Sequence, residues 1–491
     1  MAQFNAKTKA KTTLNHEGAK AFVLTPELEL YTLVVTSMFS DKFYESKDDR
    51  VARLRKLITK VEPEFVAKLA VYAREKMYLR SIPLVLAVEL AKVHNGDRLV
   101  STLVTRIIQR VDELTEILAY YKKANGLDNI KKESHQLYKG IANAFLKFDE
   151  YQFAKYDRDG EIKLRDVLFK THPKPDSPEK TALFKKIVDG TLETPYTWET
   201  EVSAKGNTAE VWQSLIASDR LPYMATLRNL RNILDSGVDI HDVGIVAETI
   251  SDTYQVRKSR QMPFRFLSAY RELKENSSPH TSVMLDAIET AVKKSAENIK
   301  GFGYDTTVAI ACDVSGSMQT TISPKSKVMN YDIGLLLGML LQFRCKSVVT
   351  GMFGTDFKIV NLPKSSILQN VDELHNREGE VGYSTNGHLV LRELEQKGVK
   401  ADKVMIFTDC QMWNSDEDSR DSMHTAWSSY KKFHPTAKLY LFDLSGYGDT
   451  PVSLMGGNVY LIAGWSDKVF DVLTAYDEGS TAVEHIQEIV I

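Results

Sequence analysis

The chain has 491 residues, 43% of them hydrophobic and 26% charged, with a formal net charge of −2. That composition describes a water-exposed globular protein with room for several domains, and it excludes disordered, collagenous and disulfide-framework classes. The charge is uneven: residues 1–300 carry 47 Lys/Arg against 41 Asp/Glu, whereas the remainder carries 16 against 24. A modest positive excess permits a polyanion-binding N-terminal part without requiring one.

The first residues, MAQFNAKTKAKTTLNHEGAKAF, are basic, but no apolar stretch of signal-peptide length follows them, and no run of 18 apolar residues occurs. A cytoplasmic protein without membrane association is the expectation. From about residue 26 to 300 the spacing predicts helices. TPELELYTLVVTSMF, RVARLRKLITKV, PEFVAKLAVYAREK and IPLVLAVELAKV place apolar residues three and four apart, between breakers such as Pro63, Pro83 and Asn95-Gly96. Short helices with short connections suggest successive antiparallel pairs, a degenerate HEAT-like array able to close into a ring.

Residues 157–208 interrupt this pattern. THPKPDSPEK, at 171–180, and ETPYTWETEVSAKGN read as long polar loops, a feature more often functional than accidental. Asp157-Arg-Asp159-Gly160 superficially resembles a calcium loop. Lys155 stands where the first ligand belongs and Asp166 where a bidentate Glu belongs, so it is rejected. Helices resume at AEVWQSLIASDRLPYMATLRNLRNIL and continue to about 298.

Beyond 300 the pattern changes. Strand-like runs fall at 306–312, 346–353, 403–408, 438–443 and 458–462, with a more polar, edge-like run at 357–362. Helical patterns lie between them, so a parallel, doubly wound sheet is expected, with the domain boundary near 300 at NIKGFGYD. Cys312, Cys345 and Cys410 form no CxxC pair and read as small buried residues near strand ends.

The strand TTVAIAC ends in Asp313-Val-Ser315-Gly-Ser317, and a later strand ends in Asp409. If the two strands neighbour each other at a topological switch point, both carboxylates face one crevice. Ser315 and Ser317 add hydroxyls, and Thr385 in the glycine-containing loop GYSTNG supplies another oxygen. An all-oxygen set suits a hard divalent cation, Mg²⁺ above all. With hydroxyls as most of its ligands, the ion would keep net positive charge and an open position, which favours binding a carboxylate over performing chemistry.

This D-x-S-x-S … T … D pattern resembles the metal-ion-dependent adhesion site of von Willebrand factor type A domains. The whole chain resembles the Ro 60 kDa autoantigen family, in its bacterial type, whose helical part is the TROVE module. TTLNHEGAKAF is similar to the family's opening segment. EVWQSLIASDRLPYMATLRNLRNIL and RKSRQMPFRFLSAYREL are similar to two of its helices, and ACDVSGSM, GYSTN and KVMIFTDCQMW follow in order. The resemblance implies a multidomain protein: an all-α helical-repeat ring over 1–300, then an α/β doubly wound domain over 301–491.

It also implies a noncatalytic RNA binder for RNA quality control or processing. Small noncoding Y-like RNA would bind the outer surface, and single-stranded 3′ ends of misfolded RNA the central hole. An exoribonuclease tethered through RNA and a monomeric ring belong to the same expectation. Candidate RNA contacts are Lys163, Arg165, Lys170, His172 and Lys174 at the proline-rich loop. Arg228 and Arg231 on one helix face, and Arg257, Lys258, Arg260 and Arg265, complete the set. Phe169 stands at a family basic position, residues 176–208 look short, and DCQMW replaces the family's usual run after the last Asp. Two other function classes remain open on the residues alone: a metal-dependent protein-interaction scaffold and a Mg²⁺-dependent phosphohydrolase.

Overall fold

The computed structural model describes residues 10–37, 44–125, 134–157, 160–218, 220–297, 299–323, 326–413, 422–455 and 458–491. Met38 and Phe39 of the first predicted helix, Arg158 and Asp159 of the rejected calcium loop, and Asp219, Asn298 and Asp421 lie outside them. The chain divides into two compact units. One takes in Ala52–Ala225, Ser236–Val238 and Glu484–Ile491, and the other Met1–Val51, Thr226–Asp235 and Asp239–Val483.

The unit built on Ala52–Ala225 is helical throughout its described residues. Close packing relies on small residues. Gly140, in the helix His135–Phe145, faces the helix Leu99–Ile107, where a Cβ would lie 2.6 Å from that of Val104. A buried ion pair fixes a neighbouring corner: Arg74 donates to Glu113 at 2.7 Å and to the Ile107 carbonyl at 2.9 Å. The other Glu113 oxygen accepts the amides of Gln109 and Arg110.

The region 157–208 is more ordered than its polarity suggests. Helices span Leu164–Thr171, Pro178–Asp189 and Trp198–Lys205. The reason is capping. Ser177 accepts the Lys180 amide ahead of Pro178 at the first helical position, and Gly190 closes that helix at φ +66°. Thr197 and Thr200 form a reciprocal capping box. The loops shrink to the stretches between these caps.

The second unit opens with a hairpin of two short strands, β1 (Thr12–Leu14) and β2 (Lys20–Val23). Its main sheet comprises β3 (Thr307–Asp313), β4 (Ser347–Phe353), β5 (Phe357–Ile359), β6 (Lys403–Thr408), β7 (Lys438–Asp443) and β9 (Val459–Ala463), with β8 (Asp449–Thr450) set apart. The spatial order is β5-β4-β3-β6-β7-β9. All neighbours are parallel except β5, which runs antiparallel to β4 at the edge.

Helices between the strands cover both faces, so β3 reads as an unbroken buried run from Val308 to Asp313. The expected strands and intervening helices appear within a residue or two, except that β5 ends at Ile359. The hairpin was not anticipated as strand. β2 pairs with β8, Phe22 opposite Thr450, making a second, three-stranded sheet. Among the described residues no helix is long and apolar enough to cross a membrane.

Candidate metal centre and basic clusters

The central strand β3 has β4 on one side and β6 on the other, so the chain reverses its winding between β3 and β6. Cys312 pairs with Phe407, which places Asp313 beside Thr408 and Asp409 at the carboxyl ends. Asp313 Oδ1 accepts the Ser315 amide at 2.9 Å, and Oδ2 accepts the Thr408 hydroxyl at 2.6 Å. The Ser315 and Ser317 hydroxyls are 3.3 Å apart. Asp409 Oδ1 accepts the Gln411 amide at 2.9 Å, and Ser317 lies close by.

Thr385 is buried on a loop stitched to both sides of this group. The Tyr383 carbonyl accepts the Gly316 amide at 2.9 Å, and the Thr385 carbonyl accepts the Trp413 amide at 3.0 Å. That position depends on two glycines meeting backbone to backbone. A Cβ on Gly354 would stand 1.9 Å from the Gly382 carbonyl oxygen, and Gly382 itself adopts φ +68°. Asp313, Ser315 and Ser317 therefore form one hydrogen-bonded group, Asp409 lies close by, and Thr385 sits on the loop fastened against it.

Electrostatics give this group its character. Burial pushes the Asp313 carboxyl up, against the hydrogen bonds from Ser315 and Thr408. Asp409 is pushed up further, by burial first and then by the charge of Asp313. Asp409 Oδ2 is fully buried and has no hydrogen-bond partner. Two adjacent buried carboxylates with an orphaned oxygen are costly as they stand. A divalent cation would reverse that logic, and the all-oxygen donor set fits a hard one. No group of three His, Cys, Asp or Glu side chains suited to a metal occurs among the described residues, so a cation here would need the hydroxyls as well.

Sequence reasoning missed Thr408, whose hydroxyl orients Asp313, and Gln411, which bridges Asp409 to Asp449. Thr408 could have been found from its place immediately before the second strand-end Asp. All three cysteines are buried, and burial raises their thiols, so they are packing residues.

The basic candidates fall into two groups, one in each unit. Lys163 and the exposed Arg165 and Lys170 lie at and along the helix Leu164–Thr171, with exposed His172 and Lys174 just beyond it. His172 ends that helix in the left-handed conformation at φ 48°, its amide bonded to the Leu168 carbonyl. Phe169, 56% exposed, projects among these cations.

In the second group the helices Tyr223–Asp235 and Pro263–Lys274 lie side by side. Asn276 donates to Asp235 at 2.6 Å, and Arg231 pairs with Glu272 at 2.9 Å. Arg228 and Arg265 lie on these same two helices, near enough for Arg265 to feel the charge of Arg228. Arg265 retains exposed surface, yet crowding and then the charge of Arg228 hold its guanidinium below its ordinary value. Arg257 pairs with Glu297 at 3.0 Å, Lys258 lies over the exposed ring of Tyr254, and Arg260 ends its helix at φ 51°. The structure thus separates cations with a carboxylate partner, Arg231 and Arg257, from the Arg228–Arg265 pair.

Comparison with known proteins adds three findings. The TROVE domain matches residues 35–191 and 190–301, more than half of the chain. Telomerase protein component 1 is similar in rat, at 46% identity over 82 residues (17% of this chain, 3% of that protein), and in mouse, at 25% over 350 residues (52% and 13%). The chain therefore spans only a small part of the length of these curated relatives. The crystal structure of the Deinococcus radiodurans Ro (RSR) protein superposes with a TM-score of 0.63 at 18% identity, covering 93% of this chain and all of that one, a likeness of fold. With the TROVE match across the helical array, more than half of the chain, the chain belongs to the TROVE-domain family.

Proposed function

We propose that this chain is a noncatalytic RNA-binding protein, holding structured noncoding RNA of the Y type and single-stranded RNA 3′ ends. The observation that carries the reading is the Arg228–Arg265 pair. Arg265 feels the like charge of Arg228 where the residues beside them meet complementary partners, and neither arginine makes an ion pair with a described residue. Arg265 stands in the first turn of the helix Pro263–Lys274, whose N-terminus has no side-chain cap. A cation there opposes the helix dipole, whereas a phosphate would satisfy the dipole and both guanidiniums together.

Exposed aromatics beside cations support the same reading. Phe169 adjoins Lys170, and Tyr254, 66% exposed, carries the Lys258 ammonium 5.4 Å from its ring centre. Such pairs offer a stacking face for an unpaired base together with a charge for its backbone. Arg165, His172 and Lys174 extend the first surface. The family membership of the array points the same way.

The second part of the reading is a divalent-cation site. Asp313, Ser315, Ser317, Thr385 and Asp409 would hold Mg²⁺, and the orphaned Asp409 oxygen is its main support. A bound ion would supply a positive centre for a carboxylate. A metal-dependent scaffold for acidic partners is the alternative that this site favours.

Filter binding of a hairpin RNA with a single-stranded 3′ tail, titrated across NaCl concentration, separates the two. The RNA reading expects log affinity to fall steeply and linearly with log salt, unchanged by EDTA. Absence of affinity, or affinity lost with EDTA and insensitive to salt, supports the scaffold instead.

A further inference from the structure

The N-terminal hairpin bears directly on the metal centre, although no ligand was assigned to it. Asn15 shapes its turn: Asn15 Oδ1 accepts the amides of Glu17 and Ala19, and its carbonyl accepts that of Gly18, which adopts φ +76°. The same side chain donates to the Met412 carbonyl at 2.7 Å, and the His16 amide donates to Gln411 at 2.8 Å. The turn is thereby fastened to the segment immediately after Asp409. Pairing of β2 with β8 fixes its other end.

Over this turn lies Tyr44. Its ring stacks on His16 at 5.0 Å and 6°, and both rings pack against Tyr447. The Tyr44 hydroxyl donates to Glu17 Oε1 and lies near Ser317, close enough to Asp409 to feel its charge. One hydroxyl thus links an exposed carboxylate to a candidate ligand of the metal. Glu17 stands on the far side of that hydroxyl from two buried carboxylates, and without a cation electrostatics opposes bringing a third negative charge to them. With a divalent cation the third carboxylate becomes favourable.

We propose that Glu17, positioned by Tyr44, is a resident carboxylate of the metal site: it takes the open face of the ion that a partner's carboxylate would need, so the hairpin latches the site shut. This rests on the metal reading above. It makes the ion a fastener of the N-terminal segment, and an external acidic ligand must displace Glu17 to bind.

The test uses the full chain with Mg²⁺ alone, then with acetate as the carboxylate probe. Calorimetric titration measures Mg²⁺ affinity, and amide hydrogen exchange of residues 12–23 reports the latch. In the unaltered protein Mg²⁺ should slow exchange across the hairpin, and acetate should bind the Mg²⁺-loaded form poorly. Glu17→Gln should weaken Mg²⁺ binding roughly 10-fold, a loss of the size seen when groups that support a metal site are removed. It should also abolish the Mg²⁺-dependent protection and let acetate bind. Tyr44→Phe should move all three readings in the same direction by less. Mg²⁺ binding that is equal in Glu17→Gln, with unchanged exchange and no gain of acetate, overturns the latch and leaves the metal site standing. Absence of Mg²⁺ uptake by the unaltered protein overturns both, and identical behaviour of Asp313→Ala identifies that outcome.

Discussion

Replacing Arg228 and Arg265 together by Ala should separate stability from RNA binding. Each guanidinium that neutralises a phosphate of single-stranded RNA contributes about 0.7 to the slope of log affinity against log salt, so the double variant should lose about 1.4 from that slope. Charge-assisted hydrogen bonds contribute about 1.5 kcal/mol each at the low end, so affinity should fall by up to roughly 100-fold. Stability should move the other way. Arg265 occupies the first turn of an uncapped helix and feels a like charge. Its removal should gain about 0.3–1 kcal/mol, a rise in melting temperature of roughly 1–3 °C for the transition of that unit. Arg231→Ala is the internal control: its charge is already paired with Glu272 at 2.9 Å. It should leave the salt slope within error and cost about 0.2–1 kcal/mol. The assays are filter binding from low to high NaCl and differential scanning calorimetry. An unchanged salt slope in the double variant, or a loss of stability matching that of Arg231→Ala, would falsify the phosphate assignment of this pair.

Glu113→Ala should destabilise the helical unit by about 3–5 kcal/mol in urea titrations, because it strands Arg74, which is only 8% exposed. A loss below 1 kcal/mol would show that water reaches the pair. Asp332 is buried, which alone would raise its carboxyl, but hydrogen bonds from Arg271 and His375 and the charge of Arg271 hold it below its ordinary value. A depressed folded-state value stabilises fully above the unfolded value of about 3.9 and is lost as pH falls through the folded one. The advantage of the unaltered protein over Asp332→Asn in urea should therefore persist from pH 7 to about 4 and shrink below it; a constant difference down to pH 2 would contradict the assignment. Gly354→Ala should push the Thr385 loop off the metal centre, since its Cβ would stand 1.9 Å from the Gly382 carbonyl oxygen. Weakened Mg²⁺ uptake with an unchanged circular dichroism spectrum is expected, and normal uptake would remove that loop from the site.

Much of the α/β part was legible because parallel strands covered on both faces appear in sequence as uninterrupted apolar runs. Val308–Cys312 and Val404–Phe407 are such runs, and each ends in the carboxylate that matters. The closeness of the Thr385 loop was legible because glycine punctuation marks a loop that must approach closely. The hairpin could not be read. Strands of three and four residues carry too little periodicity, and the contact that gives them meaning, Asn15 to Met412, spans 397 positions. Thr197, Ser177 and Gly190 were legible as residues, but the polarity of the surrounding segment outweighed their capping pattern.

Charge was the least legible property, because a count of lysines and arginines does not say which are already neutralised. Arg231 and Arg257 look like ligand-seeking cations in sequence, yet each meets a glutamate about one helix-pair away, at 41 and 40 positions. Arg228 and Arg265 look no different, yet Arg265 feels the like charge of Arg228. The metal centre follows the same rule with the opposite sign: Asp313 and Asp409 are two buried carboxylates with one oxygen left unsatisfied. A folded chain that keeps a like-charge pair where a complementary one would fit gives up stability at that point, and such local conflicts concentrate where a ligand of opposite charge resolves them. On that criterion the proposed phosphate site at Arg228 and Arg265 and the proposed divalent-ion site at Asp313 and Asp409 are each places where a ligand would relieve the conflict.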